Sequence, residues 1–338
     1  MAASLLQIEE PRSTPELVGI AKLAATGESL RLGHDVEYFT LPARSLLNRC
    51  VSRMKLPFTW TINPYRGCEF ACKYCYARYT HEFMEMRDGM DFERKIYVKQ
   101  QTAWLLRQEL KKVKRGEQIA MGTATDPYQP AEKRFEVTRG ILEEMARHRG
   151  LELSIVTKSD MVVRDIDLLR EVAQHNGLYI NVTVTTADAK LARILEPRAP
   201  RPDLRLQAVS KLVEAGLNAG VICSPVLPGI TDSTASLEGV VRGAKEAGAR
   251  YVYSNALFLK PSSASVFLPF LEKEFPQLVE SYRKRYERGA FVSKAYRERL
   301  AAVMSALRRK HGMKKQVVDR GTVSAEYRAE EVQMAMFG

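Results

Sequence analysis

The sequence is poor in cysteine and has no long hydrophobic run. Its 338 residues contain five cysteines, three of them within eight positions, which excludes the disulfide framework of a small secreted domain. No stretch approaches the ~20 apolar residues of a membrane-spanning helix, and the first residues lack the basic segment and apolar run of a secretory signal. We therefore expect a cytoplasmic protein that is not bound to a membrane.

Acidic residues are outnumbered by basic ones. There are 52 Lys and Arg against 40 Asp and Glu, which gives a net charge of +12. Because basic surfaces release counterions from a phosphate backbone, DNA or RNA is a candidate partner, although basic side chains can also serve only solubility. The charge is concentrated from Arg283 onward, where Leu300, Met304 and Leu307 follow helical spacing. This pattern predicts basic helices that pack through one face.

Apolar, β-branched runs alternate with helical segments through the middle of the chain. The predicted strands are Phe58–Ile62, Gln118–Thr125, Glu152–Ser159, Leu178–Thr186, Ala219–Leu227 and Tyr251–Leu259. The predicted helices are Val98–Val113, Phe135–Arg149, Arg164–His175, Asp203–Ala215 and Ser236–Ala247. This alternation predicts parallel strands joined by right-handed crossovers.

Polar residues at the ends of these strands help to choose between two parallel architectures. Hydroxyl, charged or Pro/Gly residues follow nearly every apolar run. Site residues at many strand ends are typical of a barrel, whereas a doubly wound sheet concentrates them at one point. We therefore predict an α/β fold with a partial (β/α)6 barrel of the TIM type at residues 56–262. An N-terminal extension would span residues 1–55, and a basic helical C-terminal region residues 263–338.

Three cysteines form a C-x3-C-x2-C array in the segment NPYRGCEFACKYCYAR: Cys68, Cys72 and Cys75. Three thiolates this close in sequence can bind three irons of a cubane cluster and leave the fourth iron open. A zinc site is an alternative, and it would need His81 as its fourth ligand. A closed four-cysteine cluster would have to recruit one of the two remaining cysteines.

This array, with Tyr74 before its last cysteine and a predicted strand before it, resembles the signature of the radical S-adenosylmethionine (radical SAM) superfamily. Four later segments resemble, in their order, the spore photoproduct lyase-like family: TDPYQPAE (125–132), VTKS (156–159), LEPRAPRP (195–202) and SPVLPG (224–229). The resemblance implies a partial barrel and a [4Fe-4S] cluster whose open iron binds S-adenosyl-L-methionine. It also implies cleavage of that cofactor to a 5′-deoxyadenosyl radical, with an electron donor such as ferredoxin or flavodoxin.

The resemblance implies roles for single residues near the array. The three cysteines would ligate the cluster, while Tyr74 and Tyr76 would border the adenine and the substrate pocket, which makes Tyr76 a candidate catalytic residue. Thr125 would meet the amino group of the cofactor. Lys158 would pair with its carboxylate, and such a partner would also explain a lysine directed into a barrel mouth.

Further cofactor contacts are implied at the later strands. Thr183 and Thr185 lie two residues apart on one strand and therefore face the same side, and Thr183 is the better match for a ribose contact. Ser224 would lie near the adenine. Arg198 is a candidate contact in its loop, although an ion pair between Glu196 and Arg198 is the alternative for this loop.

One position departs from the pattern of the lyase that repairs the thymine photoproduct. That enzyme carries a cysteine two residues before the hydroxyl that corresponds to Thr125, and here the position is Thr123. Because a Thr O–H bond is too strong to replace a thiol as hydrogen donor, photoproduct repair is not expected. Cys223 is the candidate replacement, although strand alternation favours Ser224 as the inward residue.

The sequence does not identify the substrate. Four polar residues after the second strand are expected to face it, with Asp126 as a candidate catalytic group: Asp126, Tyr128, Gln129 and Glu132. The charge favours DNA or RNA, and a peptide or small metabolite is the alternative. A non-enzymatic module is the third reading, in which a zinc or closed iron–sulfur site holds the loop while the basic helices bind nucleic acid.

Overall fold

The structure, a computed structural model, describes residues 17–33, 35–50 and 57–313. The strands are β1 (Ser29–Gly33), β2 (Val36–Leu41), β3 (Leu47–Arg49), β4 (Trp60–Ile62), β5 (Tyr65–Arg66), β6 (Lys95–Lys99), β7 (Gln118–Met121), β8 (Glu152–Thr157), β9 (Gly177–Thr183), β10 (Ala219–Val226) and β11 (Val252–Ala256). The α-helices are α1 (Gly19–Ala25), α2 (Tyr79–Glu82), α3 (Asp91–Arg94), α4 (Thr102–Glu109), α5 (Glu132–Phe135), α6 (Val137–Ala146), α7 (Ile166–His175), α8 (Ala189–Leu195), α9 (Pro202–Glu214), α10 (Thr234–Glu246), α11 (Pro261–Glu274), α12 (Val279–Tyr286) and α13 (Lys294–Lys310). From β6 to β11 strands and helices alternate.

Seven strands form a large sheet in the order β11-β10-β9-β8-β7-β4-β3. Strands β4 and β7 to β11 pair in parallel, and they match the six predicted strands. Strand β3 adds an antiparallel edge beside β4. Because neighbouring parallel strands are joined through helices, their carboxyl ends meet at one edge of the sheet. The expected partial-barrel α/β architecture is confirmed, with β11 and β3 as the edge strands.

The two faces of the large sheet differ in chemistry. One face packs against the helices in the main hydrophobic core, through residues such as Ile119, Ile155 and Val221. Because side chains alternate along a strand, the residues between them point to the opposite face, which we call the inner face. The inner face carries Thr61, Ala120, Ser154, Asn181, Gly220 and Tyr253. Its middle is polar, since the Asn181 amide donates to Ser154 Oγ at 2.9 Å.

The described part of the expected N-terminal extension contributes strands to both sheets. Strand β3 belongs to the large sheet, and β1 and β2 join β6 and β5 in a small four-stranded sheet. The expected helix at Val98–Val113 is wrong at its start, because β6 occupies Lys95–Lys99 and α4 begins at Thr102. The alternating residues of β6 pair with β2 and β5, partners too distant in sequence for a local pattern to reveal. Residues 1–16 of the expected extension lie outside the described ranges.

The described part of the C-terminal region, up to residue 313, is helical, as its spacing predicts. Helices α11 to α13 follow β11, and Leu300, Met304 and Leu307 of α13 are buried in the main core. The basic residues Lys314 and Lys315 lie outside the described ranges. Among the described residues, no helix has both the length and the apolar character needed to cross a membrane.

Candidate active site at the cysteine loop

The cysteine array lies on a loop after β5, at the edge where the parallel strands end. The Lys73 backbone N–H donates to the Leu195 carbonyl at 3.0 Å, at the end of α8. The Tyr76 hydroxyl donates to the Thr123 carbonyl, just beyond β7. Both contacts fasten the loop to segments that follow parallel strands. The loop therefore lies over the carboxyl ends of these strands.

The three thiols lie on one loop and differ in their exposure to solvent. Cys68 and Cys72 are each 8% exposed, and Cys75 is half-buried. Burial raises the pKa of all three thiols, that of Cys72 to about 12, and Cys72 and Cys75 add to the rise at Cys68. Since a bound metal favours the thiolate over the thiol, such a set can ionise when it binds iron.

The spacing and chemistry of the donors fit an iron–sulfur cluster. In a cubane each thiolate binds a different iron, so three cysteines of one loop can hold three of its irons. The soft thiolate set also suits iron–sulfur chemistry. The residues present therefore fit a [4Fe-4S] cluster.

His81, the ligand that a zinc site would need, is engaged elsewhere. Its Nε2 lies 3.1 Å from the Lys95 carbonyl, and its ring meets Phe92 and Tyr97 edge-on. Burial lowers the pKa of His81 to about 4, so the ring is neutral at neutral pH. These contacts direct His81 to β6 and disfavour the zinc reading.

A hydrogen-bonded staple holds the start of the loop. The Thr125 hydroxyl donates to the Gly67 carbonyl at 2.6 Å, and the Gln129 amide donates to the same carbonyl at 3.1 Å. The Glu69 backbone N–H donates to Gln129 Oε1 at 3.0 Å. The Glu69 carboxylate accepts from the Tyr38 hydroxyl at 2.8 Å. Gly67 itself has φ +82° and no room for a Cβ. The residues on both sides of Cys68 are thus fixed.

The polar residues expected to face the substrate are used in the framework. The Asp126 carboxylate accepts from the Thr157 hydroxyl at 2.6 Å, the Lys158 backbone N–H at 2.7 Å and the Tyr128 backbone N–H at 3.0 Å. It therefore fastens the end of β7 to the end of β8. The bond to Tyr128 is an Asx turn, which the Asp-Pro pair could have suggested. A catalytic role for Asp126 is not supported by these contacts.

The other three candidates of this segment are also structural. Gln129 belongs to the staple, and Tyr128 is fully buried in the main core. The buried Glu132 carboxylate accepts from the Tyr65 hydroxyl at 2.5 Å and from Arg164 at 2.9 Å. Each of these side chains turns back into the protein, which their position after a strand does not reveal.

A buried carboxylate joins the cysteine loop to two later elements. Glu196 is 1% exposed and its Oε2 lies 2.5 Å from Arg205 Nη2, on α9. Glu196 Oε1 accepts from the Tyr74 hydroxyl and from the Thr185 hydroxyl, the latter at 2.8 Å. Burial alone would raise the pKa of Glu196, but Arg205 and Lys158 hold it below its ordinary value. Glu196 therefore pairs with Arg205, and the alternative of a loop pair with Arg198 does not occur among the described residues.

Lys158 lies at the centre of this edge, half-buried after β8. Its Nζ is 5.6 Å from the centroid of the Tyr74 ring. Burial would lower the pKa of Lys158, but Cys72 and Glu196 raise it above its ordinary value. No hydrogen bond or ion pair of this ammonium group occurs in the described part of the chain. It is thus a charged donor available beside the cysteine loop.

The remaining predicted residues divide into those on the inner face and those off it. Thr183 and Thr185 are buried on the inner side of β9 and its extension, and Ser224 lies on the inner side of β10. Cys223 instead belongs to the helix-facing core, with its Sγ 3.9 Å from the Thr185 carbonyl. Its alternation with Ser224 gives no support to a role as hydrogen donor at the site. Arg198 is exposed.

The comparison with known proteins agrees with this geometry. The model of the radical SAM superfamily matches residues 62–237. An uncharacterised protein of Mycobacterium tuberculosis is 38% identical over 266 residues, which cover 78% of each chain. An uncharacterised protein of Methanocaldococcus jannaschii is 31% identical over 221 residues, 65% of this chain and 78% of its own.

Solved structures of spore photoproduct lyase share the fold. One superposes with a TM-score of 0.60 at 15% identity, covering 81% of this chain and 79% of that chain. Another, with bound S-adenosylmethionine and a dinucleoside spore photoproduct, gives a TM-score of 0.59 with the same coverage. At this identity the likeness establishes the fold alone.

We expect Arg205→Met to destabilise the protein by about 3–5 kcal/mol near neutral pH, because it leaves the Glu196 carboxylate buried without its cation. The loss should shrink as the pH falls towards and below 4.5, the ordinary carboxyl pKa, since a protonated Glu196 needs no cation. Urea denaturation at several pH values measures this.

Two further variants control this prediction. Adding Glu196→Gln to Arg205→Met should recover most of the loss. Arg201→Met, which breaks an exposed ion pair to Asp203, should change nothing measurable. Equal effects of Arg201→Met and Arg205→Met would contradict a special role for the buried pair.

Proposed function

The chain belongs to the radical SAM superfamily, and we propose that Cys68, Cys72 and Cys75 ligate the [4Fe-4S] cluster that this superfamily uses with S-adenosylmethionine. Held by these cysteines and reduced, the cluster would supply one electron that breaks the sulfur–C5′ bond of S-adenosylmethionine. This would release methionine and give a 5′-deoxyadenosyl radical that takes a hydrogen atom from the substrate. The observation that carries the assignment is the set of three thiols on one fastened loop, two of them buried and one half-buried, with a charged lysine beside them. Membership of this enzyme family also overturns the reading as a non-enzymatic binding module.

The residues around the loop would hold the cofactor at its two ends. The Lys158 ammonium group lies beside Cys72 and has no hydrogen-bonding partner among the described residues. The carboxylate of the cofactor would give this charge its partner. The Thr125 hydroxyl already donates to Gly67 and accepts from Gln129, which leaves one lone pair for an ammonium donor. We assign the carboxylate of S-adenosylmethionine to Lys158 and its amino group to Thr125.

Aromatic and hydroxyl groups would border the rest of the cofactor. The Tyr74 hydroxyl is hydrogen-bonded to Glu196 and Thr185. These bonds fix the orientation of its ring, which faces Lys158. Thr183 and Ser224 lie on the inner face beyond it and are our candidates for the ribose and the adenine. Tyr76 is tied to Thr123 by its hydroxyl, which supports a role as a wall of the site rather than as a proton or hydrogen donor.

We further propose a nucleic acid as substrate, in a reaction other than photoproduct repair. Support comes from the net charge of +12 and from a pair of exposed arginines over one ring. Arg285 and Arg299 lie 5.6 and 5.3 Å from the centroid of Tyr296. The Tyr296 hydroxyl donates at 2.8 Å to Asp232, in the loop after β10. This arginine pair therefore lies beside the strand end that faces the site.

Photoproduct repair is disfavoured as the reaction, and one other class of substrate remains. Thr123 bonds through its hydroxyl to Asn63 at 3.2 Å and supplies no thiol to the site, which argues against photoproduct repair. A peptide or small metabolite remains the alternative substrate. We propose a ferredoxin or flavodoxin as electron donor and the cytoplasm as location, because a thiolate cluster needs a reducing compartment.

Replacing any one of Cys68, Cys72 and Cys75 by Ala should remove most of the bound iron and the visible absorbance of the anaerobically reconstituted protein. Cys50→Ala and Cys223→Ala are the matched controls and should keep both. The wild-type protein, reduced in the presence of S-adenosylmethionine, should release 5′-deoxyadenosine, which chromatography measures. A fully loaded cluster without this product would refute the function.

Lys158→Met should weaken S-adenosylmethionine binding at least about tenfold, because a charged hydrogen bond to the carboxylate is lost. Equilibrium dialysis measures the affinity, and iron content should stay at the unchanged level. Lys190→Met, at an exposed position on α8, should alter neither quantity. Loss of iron from Lys158→Met would reassign this lysine to the cluster loop.

The double variant Arg285→Ala/Arg299→Ala should weaken binding of a single-stranded oligonucleotide and lower the slope of log affinity against log salt by roughly 1.5, for two lost phosphate contacts. Fluorescence anisotropy at several salt concentrations gives both values. Lys211→Ala/Arg242→Ala removes two exposed charges from α9 and α10 and should have little effect. An affinity insensitive to salt would favour the peptide or metabolite alternative.

A further inference from the structure

Two cations share one face of the small sheet, next to the cysteine loop. Strands β5 and β6 are antiparallel with Arg66 opposite Tyr97, and Lys99 lies two residues beyond Tyr97. Residues directly opposite each other, and residues two apart on one strand, point to the same face. Arg66 and Lys99 therefore lie on one face, while Tyr65 and Val98 pack the other face into the main core.

Lys99 is buried without a bonded partner. It is 7% exposed, and its ammonium group makes no hydrogen bond or ion pair within the described ranges. The charged groups that face it are Arg66 from β5 and Glu109 from α4. Glu109 Oε2 already accepts from the backbone N–H groups of Leu46 at 2.9 Å and Leu47 at 2.8 Å. Burial and Arg66 together lower the pKa of Lys99 to about 7, against a smaller opposite effect of Glu109.

Arg66 also keeps an unused donor in this place. Its Nη1 donates to the Thr80 carbonyl at 3.2 Å, whereas its Nε is buried without a hydrogen-bond partner. Tyr79 lies within electrostatic range of Arg66, and Lys260 Nζ lies 4.0 Å from the centroid of the Tyr79 ring. Positive groups thus continue from the small sheet to Lys260, which follows β11.

Lys99 is buried and Arg66 is half-buried, and the one carboxylate that faces Lys99 is already committed. A protonated Lys99 therefore leaves a positive charge that the protein does not neutralise. An anion between the two cations would accept hydrogen bonds from both side chains and compensate the charge. We propose that Arg66 and Lys99 form an anion-binding site that receives a phosphate group of the substrate. The inference deepens the proposed function and rests on its polyanionic substrate.

Inorganic sulfate is the first probe, because it keeps its charge between mildly acidic and mildly alkaline pH. Isothermal titration calorimetry of the anaerobically reconstituted protein at constant ionic strength should detect its binding. Since the anion needs a protonated Lys99, affinity should fall up to about tenfold per pH unit above the lysine pKa of about 7. Binding that is absent, or that does not change with pH, would overturn the site.

Three variants assign the effect to Lys99. Lys99→Met, which keeps the length of the side chain, should weaken sulfate binding at least about tenfold. Lys99→Arg should keep the binding and lose the pH dependence, because arginine stays charged. Lys95→Met, on the same strand but paired with Asp91 at 3.1 Å, is the control and should bind sulfate unchanged. Equal binding by Lys99→Met and the unchanged protein would refute the assignment.

A short single-stranded oligonucleotide then links the site to the substrate. It should compete with sulfate, and Lys99→Met should weaken its binding while the affinity for S-adenosylmethionine stays the same. A loss of S-adenosylmethionine binding, or an unchanged oligonucleotide affinity, would overturn the substrate role. Sulfate binding does not depend on 5′-deoxyadenosine release, so failure of the proposed function and failure of this site give different results.

Discussion

Burial of the Glu196 carboxylate is the constraint on which the active-site edge depends. A carboxylate with 1% exposure needs both a cation and hydrogen-bond donors, and it takes them from three separate elements. Arg205 comes from α9, Thr185 from the end of β9 and Tyr74 from the cysteine loop. One buried charge therefore sets the position of the loop against the sheet.

The same electrostatics prepare the loop for an anionic ligand set. Burial raises the pKa of the cysteine thiols, but Lys158 acts in the opposite direction on Cys72, and Arg78 and Lys158 do so on Cys75. Arg78 is itself buried and paired with Glu93 at 2.6 Å, so it is fixed before any ligand binds. Thiolates at Cys72 and Cys75 would thus form near two positive groups that are already in place, Lys158 and Arg78.

The sequence allowed prediction of the parts that have a local signal. Six parallel strands follow from β-branched runs, and Cys68, Cys72 and Cys75 follow from their spacing. The small sheet was missed because β6 pairs with β2 and β5, which lie far away in sequence. Arg205 was missed for the same reason, since its partner is chosen by the packing of α9. The framework bonds of Asp126 were not foreseen, because a position at a strand end does not say which way the side chain turns.

The pair Arg285 and Arg299 and the pair Arg66 and Lys99 differ in what they can contribute to binding a nucleic acid. Arg285 and Arg299 are exposed, so their attraction reaches only about 8 Å at physiological salt and mainly raises the rate of encounter. Lys99 and the Nε of Arg66 are buried, where salt screens little and a hydrogen bond fixes direction. Under our proposal the exposed pair attracts the chain and the buried pair positions one phosphate. The positioned phosphate would lie next to the cysteine loop, because Arg66 precedes Cys68 by two residues on the same segment.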